Sequence, residues 1–129
     1  MRRVVVDTSA LANVIFHEAG GAKTSRQLEG AGVYAPTLLR YELQNVAARK
    51  CRQRPAKTRE VLAALERAID PRAGIVWMDP NPVDVVLVAN ATGLSTYDAS
   101  YLCLAGMLEA DLITRDRALS AALDPIAER

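Results

Sequence analysis

Four acidic residues stand where a chain normally avoids a charge. Asp7 ends the apolar run Val4-Val5-Val6, and Glu42 lies inside the apolar stripe of a predicted helix. Asp98 opens a strongly hydrophobic segment, and Asp116 follows the strand-like Leu112-Ile113-Thr114. A lone carboxylate is expensive to bury, and four gathered without partners would repel one another strongly. A divalent cation makes such a cluster tolerable. Ligands that are all oxygen suit Mg²⁺ or Mn²⁺, and phosphate is the usual companion ligand of protein-bound Mg²⁺. One or two such ions can deprotonate water and stabilise the leaving oxygen of an in-line phosphodiester displacement.

Each acid also has an ordinary explanation. Asp7 could cap a helix. Asp98 could serve as a first-turn acid, and Asp116 as strand-to-helix turn chemistry. Glu42 would need a buried Arg or Lys, because a Glu on an inward helix face is rarely left unpartnered. The case therefore rests on joint placement. His17, the single histidine, lacks any triad-like company and reads as a surface residue. Glu60, Glu66, Asp70, Asp84, Glu109 and Asp111 fall on polar helix faces or at helix ends, where they favour solubility.

A polyanionic substrate gains support from a basic stretch. Arg49, Lys50, Arg52, Arg54, Lys57 and Arg59 follow one another with no acid between them. Such a patch would hold nucleic-acid backbone beside an acidic pocket, with Arg49, Lys50, Arg52 and Arg54 the candidate RNA contacts. It equally suits a helix C-terminus, and no aromatic residue interleaves it to stack bases.

The elements that must position these residues alternate. A continuous β-branched run predicts a buried strand over Arg2–Val6. Further strands are expected at Val33–Ala35, Ile75–Met78 and Asp111–Thr114. Helical periodicity and breakers predict helices over 10–16, 23–29, 38–52, 58–69, 83–91, 96–108 and 117–123, the third capped by Thr37. The helix over 96–108 is apolar nearly all round, which predicts a buried central position with Cys103 as a small core residue. Strands separated by helices require crossovers, hence a mostly parallel sheet covered on both faces. In such open sheets ligands bind at the carboxyl ends of strands, where Asp7 and Asp116 both fall.

At 129 residues the chain reads as one domain, residues 1–129, with enough length for a core without disulfides. A formal net charge of +1 gives no whole-molecule field, so attraction to polyanions must be local. Two cysteines without ligand spacing fit a reducing compartment. Asp7, Asn13 and His17 interrupt what would otherwise resemble a secretory leader, and no apolar stretch approaches membrane-spanning length. A cytoplasmic protein is expected.

Four segments together resemble the PIN domain, and in size and layout the VapC-type ribonuclease toxins of toxin–antitoxin pairs. They are Val4-Val5-Val6-Asp7-Thr8-Ser9-Ala10-Leu11, Pro36-Thr37-Leu38-Leu39-Arg40-Tyr41-Glu42-Leu43, Thr96-Tyr97-Asp98-Ala99-Ser100-Tyr101-Leu102 and Leu112-Ile113-Thr114-Arg115-Asp116-Arg117-Ala118-Leu119. The likeness spans Val4 to Leu123, and Leu123-Asp124-Pro125-Ile126 offers little of the family's final strand. It implies a three-layer α/β/α sandwich with a short, mostly parallel four- to five-stranded sheet. It implies that Asp7, Glu42, Asp98 and Asp116 hold Mg²⁺ or Mn²⁺, with Asp7 and Asp98 foremost as direct ligands. Ser9 and Thr114 would hydrogen-bond metal-bound water or fix a carboxylate. Metal-activated water would attack RNA, the chain would form a homodimer, and a cognate antitoxin would lay a segment across the site. The apolar residues of the helices over 23–29 and 38–52 are candidate antitoxin contacts.

Two phosphoryl-transfer alternatives fail on residues. A dehalogenase-type nucleophile at Asp7 wants a second Asp where Ser9 stands, and a receiver-type phosphoacceptor needs a late Lys, absent after Lys57. The remaining alternative is a catalytically silent PIN module that binds RNA or a protein.

Overall fold

The computed structural model describes residues 1–127, with side chains described as far as residue 123. The chain runs β1 (Arg3–Val6), α1 (Thr8–Ile15), α2 (Gly21–Leu28), β2 (Gly32–Ala35), α3 (Leu38–Gln53) and α4 (Thr58–Ile69). It continues through β3 (Val76–Trp77), α5 (Pro82–Thr92), α6 (Thr96–Leu108), β4 (Asp111–Ile113) and α7 (Arg117–Ala127). Single 3₁₀ turns at Pro55–Lys57 and Pro71–Ala73 flank α4.

The four strands form one sheet in the order β3-β2-β1-β4, every pairing parallel. This is a PIN-like three-layer α/β/α sandwich whose short sheet is parallel throughout the described residues. Helices α1 to α4 pack on one another, whereas α5 and α7 pack on α6, which lies against β1 and β4. Val4, Val5 and Val6 are fully buried, as the unbroken β-branched run requires of a central strand covered on both faces. Burying each such side chain contributes about 1.5–3 kcal/mol. Leu39 and Leu43 of α3, Leu104 of α6 and Leu119 of α7 join them at zero exposure, so the core is continuous from sheet to both helical layers.

Several expectations need correction. Thr37 does not cap α3: it already has helical dihedrals and makes no side-chain capping bond. The free end of α3 is covered instead by Asp79, beyond β3, whose carboxylate accepts from Thr37 N at 2.8 Å and Thr37 Oγ1 at 2.9 Å. Helix α6 is not buried all round. Tyr97 is 62% and Met107 51% exposed, because only one face of α6 meets β1 and β4 while α5 covers another. Cys103 is accordingly half-buried, and both cysteines are free. The region of the missing final strand is helical, within α7.

Candidate active site

The order β3-β2-β1-β4 has its reversal between β1 and β4, because the chain leaves β1 for β2 on one side and returns as β4 on the other. A crevice opens at such a switch point, outside the carboxyl ends of the strands. The register Val6↔Ile113 sets the residues that follow, Asp7 and Thr114, side by side. Asp7 Oδ1 caps α1 by accepting from Ala10 N at 2.9 Å, and it also accepts from Ser9 Oγ at 2.8 Å. Asp7 Oδ2 accepts from Thr114 Oγ1 at 2.5 Å. Ser9 Oγ accepts in turn from Arg115 N at 2.9 Å, and Thr114 Oγ1 from Asp116 N at 2.9 Å. The β1–α1 and β4–α7 turns are therefore bonded into one platform.

Asp116 Oδ1 accepts from Leu119 N at 2.9 Å, in the manner of a helix cap for α7. Asp98 lies in the first turn of α6, where its N–H donates to the capping Ser95 Oγ at 3.1 Å. Three of the four acids thus stand at helix N-termini, whose partial positive charge tempers their mutual repulsion. Glu42 comes from the side of α3 next to the Leu39–Leu43 core stripe and is half-buried. Among the described residues no Arg or Lys pairs with it. Its Oε1 accepts from Thr8 Oγ1 at 2.8 Å and from the buried Tyr101 hydroxyl at 2.5 Å, with the two hydroxyls 2.8 Å apart.

Asp7, Glu42, Asp98 and Asp116 line one open cavity of about 660 Å³. Burial raises the Asp7 carboxyl above its ordinary value, opposed by the bonds from Thr114, Ala10 and Ser9 and reinforced by Asp116. Asp98 is raised by burial and then by the charges of Asp116, Glu42 and Asp7. Burial and the bond to Glu42 push the Tyr101 hydroxyl up as well, so it remains a donor at any physiological pH.

The donor set suits a hard divalent cation, being oxygen alone. Among the described residues, Glu42 Oε2, Asp116 Oδ2 and both Asp98 carboxylate oxygens carry no protein hydrogen bond. No three Asp, Glu, His or Cys side chains among those residues already close round a point as an assembled cage.

The sequence matches the family model described as PIN domain over residues 4–123. The chain belongs to the PIN-domain family. Among solved structures, this PIN domain is similar to PAE2754 from Pyrobaculum aerophilum, with a TM-score of 0.75 and 28% identity over 94% of this chain and 84% of that one. It also shares its fold with the Mycobacterium tuberculosis toxin VapC20, with a TM-score of 0.69 and 18% identity over 92% of this chain and 94% of that one. No curated protein matches it in sequence.

The basic stretch of this PIN domain is not a single surface. Arg49 lines the carboxylate cavity. Lys50 is drawn off by Glu18 at 2.7 Å and lies over the Phe16 ring, 5.3 Å from its centroid. Arg54 lines a separate hollow with Lys50, Lys57 and Arg59, and Arg52 is exposed on α3 and lines none of the described cavities. Sequence reasoning missed Thr8, Tyr101, Glu18, Asn13 and Arg115, all of which reach the cavity. Asn13 is buried: its Nδ2 donates to Ala19 O at 2.7 Å and its Oδ1 accepts from Thr24 Oγ1 at 2.8 Å, which pins the α1–α2 turn as a cavity wall. Gly21 permits this approach, since a Cβ there would stand 2.6 Å from Asn13 O. A buried Asn within an otherwise apolar helix stretch was the one available signal.

Proposed function

We propose that this PIN domain, taken as residues 1–129, is a Mg²⁺- or Mn²⁺-dependent endoribonuclease and the toxin of a toxin–antitoxin pair. The observation that carries the reading is the meeting of Asp7, Glu42, Asp98 and Asp116 in one cavity at the β1/β4 crevice. These four would hold the cation, with Asp98 and Asp7 foremost. When bound, the ion supplies a hydrolytic nucleophile at neutral pH and neutralises charge on the phosphodiester. Ser9 and Thr114 orient Asp7, and Thr114 links it to the Asp116 backbone. Thr8 and Tyr101 hold one Glu42 oxygen and leave the other for the cavity. VapC20 is a sarcin-ricin loop cleaving toxin, which makes structured RNA the first substrate class to try here.

In this reading the protein is cytoplasmic, and no helix among the described residues is long and apolar enough to cross a membrane. The antitoxin cannot use Leu39, Leu43 or Ala47 of α3, which are sealed in the core. Leu28 of α2 is the better contact, because with Leu11, Val14 and Ile15 it lines an apolar hollow of about 730 Å³. Self-association belongs on the exposed Tyr41, Val83, Val86, Leu87 and Tyr97 of α3, α5 and α6.

The silent-module alternative is favoured by one observation, the lack of an assembled cage among the described residues. RNA cleavage by antitoxin-free protein, with Mg²⁺ or Mn²⁺ against EDTA, separates the two. Cleavage that needs metal and disappears in Asp7→Ala is expected. Folded, metal-loaded protein that cleaves no cellular RNA would leave the module as the better reading.

A further inference from the structure

Cations as well as acids reach the cavity. Arg115, in the turn between β4 and α7, and Arg49 of α3 both line it. The Arg115 guanidinium reaches across to the α1–α2 turn and rests on Gly20. A Cβ at Gly20 would lie 2.9 Å from Nη1 and 3.1 Å from Nη2, so the guanidinium sits against this glycine and would have to shift to admit a side chain there. The demand for glycine comes from the backbone, whose φ is +83° at this position. The glycine that the turn requires is thus also the surface on which the guanidinium rests.

Neither guanidinium has an ion-pair or side-chain hydrogen-bond partner among the described residues, although five carboxylates line the same cavity. The carboxylate from the same turn, Glu18, is already taken by Lys50. Both Asp7 oxygens and one Glu42 oxygen are already taken, Asp7 by hydroxyl and backbone donors and Glu42 by two hydroxyls. A guanidinium fork matches a phosphate bidentately and is its preferred partner when planar recognition matters. The need is physical too: an array of carboxylates repels a nucleic-acid backbone, and cations at its edge are what let the strand enter.

We propose that Arg115, seated on Gly20, is a substrate-binding residue that grips a backbone phosphate beside the one cleaved, with Arg49 as a second contact. The proposal rests on the RNA-cleaving reading above and adds to it the residues that position the strand. Both arginines contact phosphate only, so the grip is blind to base sequence and to sugar.

The test uses full-length Asp98→Asn protein with Mg²⁺ and a short single-stranded RNA of random sequence carrying a fluorophore. Anisotropy gives Kd across a salt series. Arg115→Gln should weaken binding roughly tenfold and lower the slope of log K against log salt by about 0.7, the share of one phosphate on a single strand. Arg115→Lys should restore the slope but only part of the affinity, since it returns the charge without the fork. In the cleaving protein, Arg115→Gln should raise KM with little change in kcat. A parent that binds RNA equally well with and without Arg115 overturns the assignment alone. A folded parent that binds no RNA overturns the assignment as well, while the nuclease reading stands or falls by the cleavage assay above.

Discussion

Two of the site's carboxylates, Asp7 and Asp98, are raised above the ordinary aspartate value by their surroundings. Asp98 has the least support, with no protein donor to its carboxylate and three acids raising its pKa in addition to burial. Its folded-state value lies above the ordinary one for an aspartate, as does that of Asp7. The folded protein therefore keeps protons that the unfolded chain has released. Stability of the metal-free protein should fall as pH climbs from about 4 through the raised values, and stay level above them. Asp98→Asn should shrink that fall and raise the neutral-pH Tm in EDTA by roughly a degree or two, the group being partly solvated. The same variant should lose cleavage and the Tm increase that Mn²⁺ gives wild type. A wild-type Tm identical in EDTA and Mn²⁺ would remove the cation from the reading. Tyr101→Phe tests the bond to Glu42: about 1 kcal/mol of stability should go with the buried hydroxyl. Its Mn²⁺ affinity, read by calorimetric titration, should fall as Glu42 loses its fixed orientation, by roughly tenfold on the usual scale for residues that orient ligands.

Helix ends do much of the positioning. Asp7, Asp98 and Asp116 each stand at an N-terminus, so one residue serves both the helix and the cavity. The helix-capping and metal-site explanations of these acids therefore describe the same geometry. Helix α3 lacks a local cap and borrows Asp79, which ties its start to the end of β3 and so helps fix where Glu42 stands. Asp79→Ala should destabilise by about 1 kcal/mol, measured by urea unfolding. At the other extreme, Glu109 ends α6 with φ 52°, in a conformation that suits glycine, and adds negative charge to a helix C-terminus. Glu109→Gly should raise stability by about 0.5–1 kcal/mol, a Tm gain of about 2–5 °C. A loss on that substitution would mean that the Glu109 side chain makes an interaction absent from the fold described above.

At the scale of the whole molecule, an apolar surface remains uncovered. Val83, Leu87 and Tyr41 are each 60% or more exposed, while Val86, at 49%, lines a shallow hollow with Tyr41, Pro82 and Val85. Monomers seldom expose so many large apolar side chains together. Light scattering of purified protein should give a dimer mass, and Leu87→Glu should shift it toward monomer without lowering the helix content seen by circular dichroism. A monomeric wild type at micromolar concentration would leave this face to another partner.

Local physics made the elements and the four acids legible in the sequence. A β-branched run with no alternation can only be a buried strand, and a carboxylate at its end has to be accounted for wherever the chain goes. The family likeness followed from four such segments in order. What no local pattern contains is which groups face one another. Tyr101 falls inside a helix predicted apolar nearly all round and Thr8 simply follows Asp7, and only the tertiary approach of α6 and α1 to α3 makes them the donors that hold Glu42. Arg115 and Gly20 lie far apart in sequence, so nothing in either residue announces the other. The basic run looked continuous because sequence has one dimension, whereas the helix turns about 100° per residue and sends Arg49 and Lys50 to different walls. Residue types set the chemistry the site could perform. The strand order, with its reversal between β1 and β4, decided where four distant carboxylates would meet.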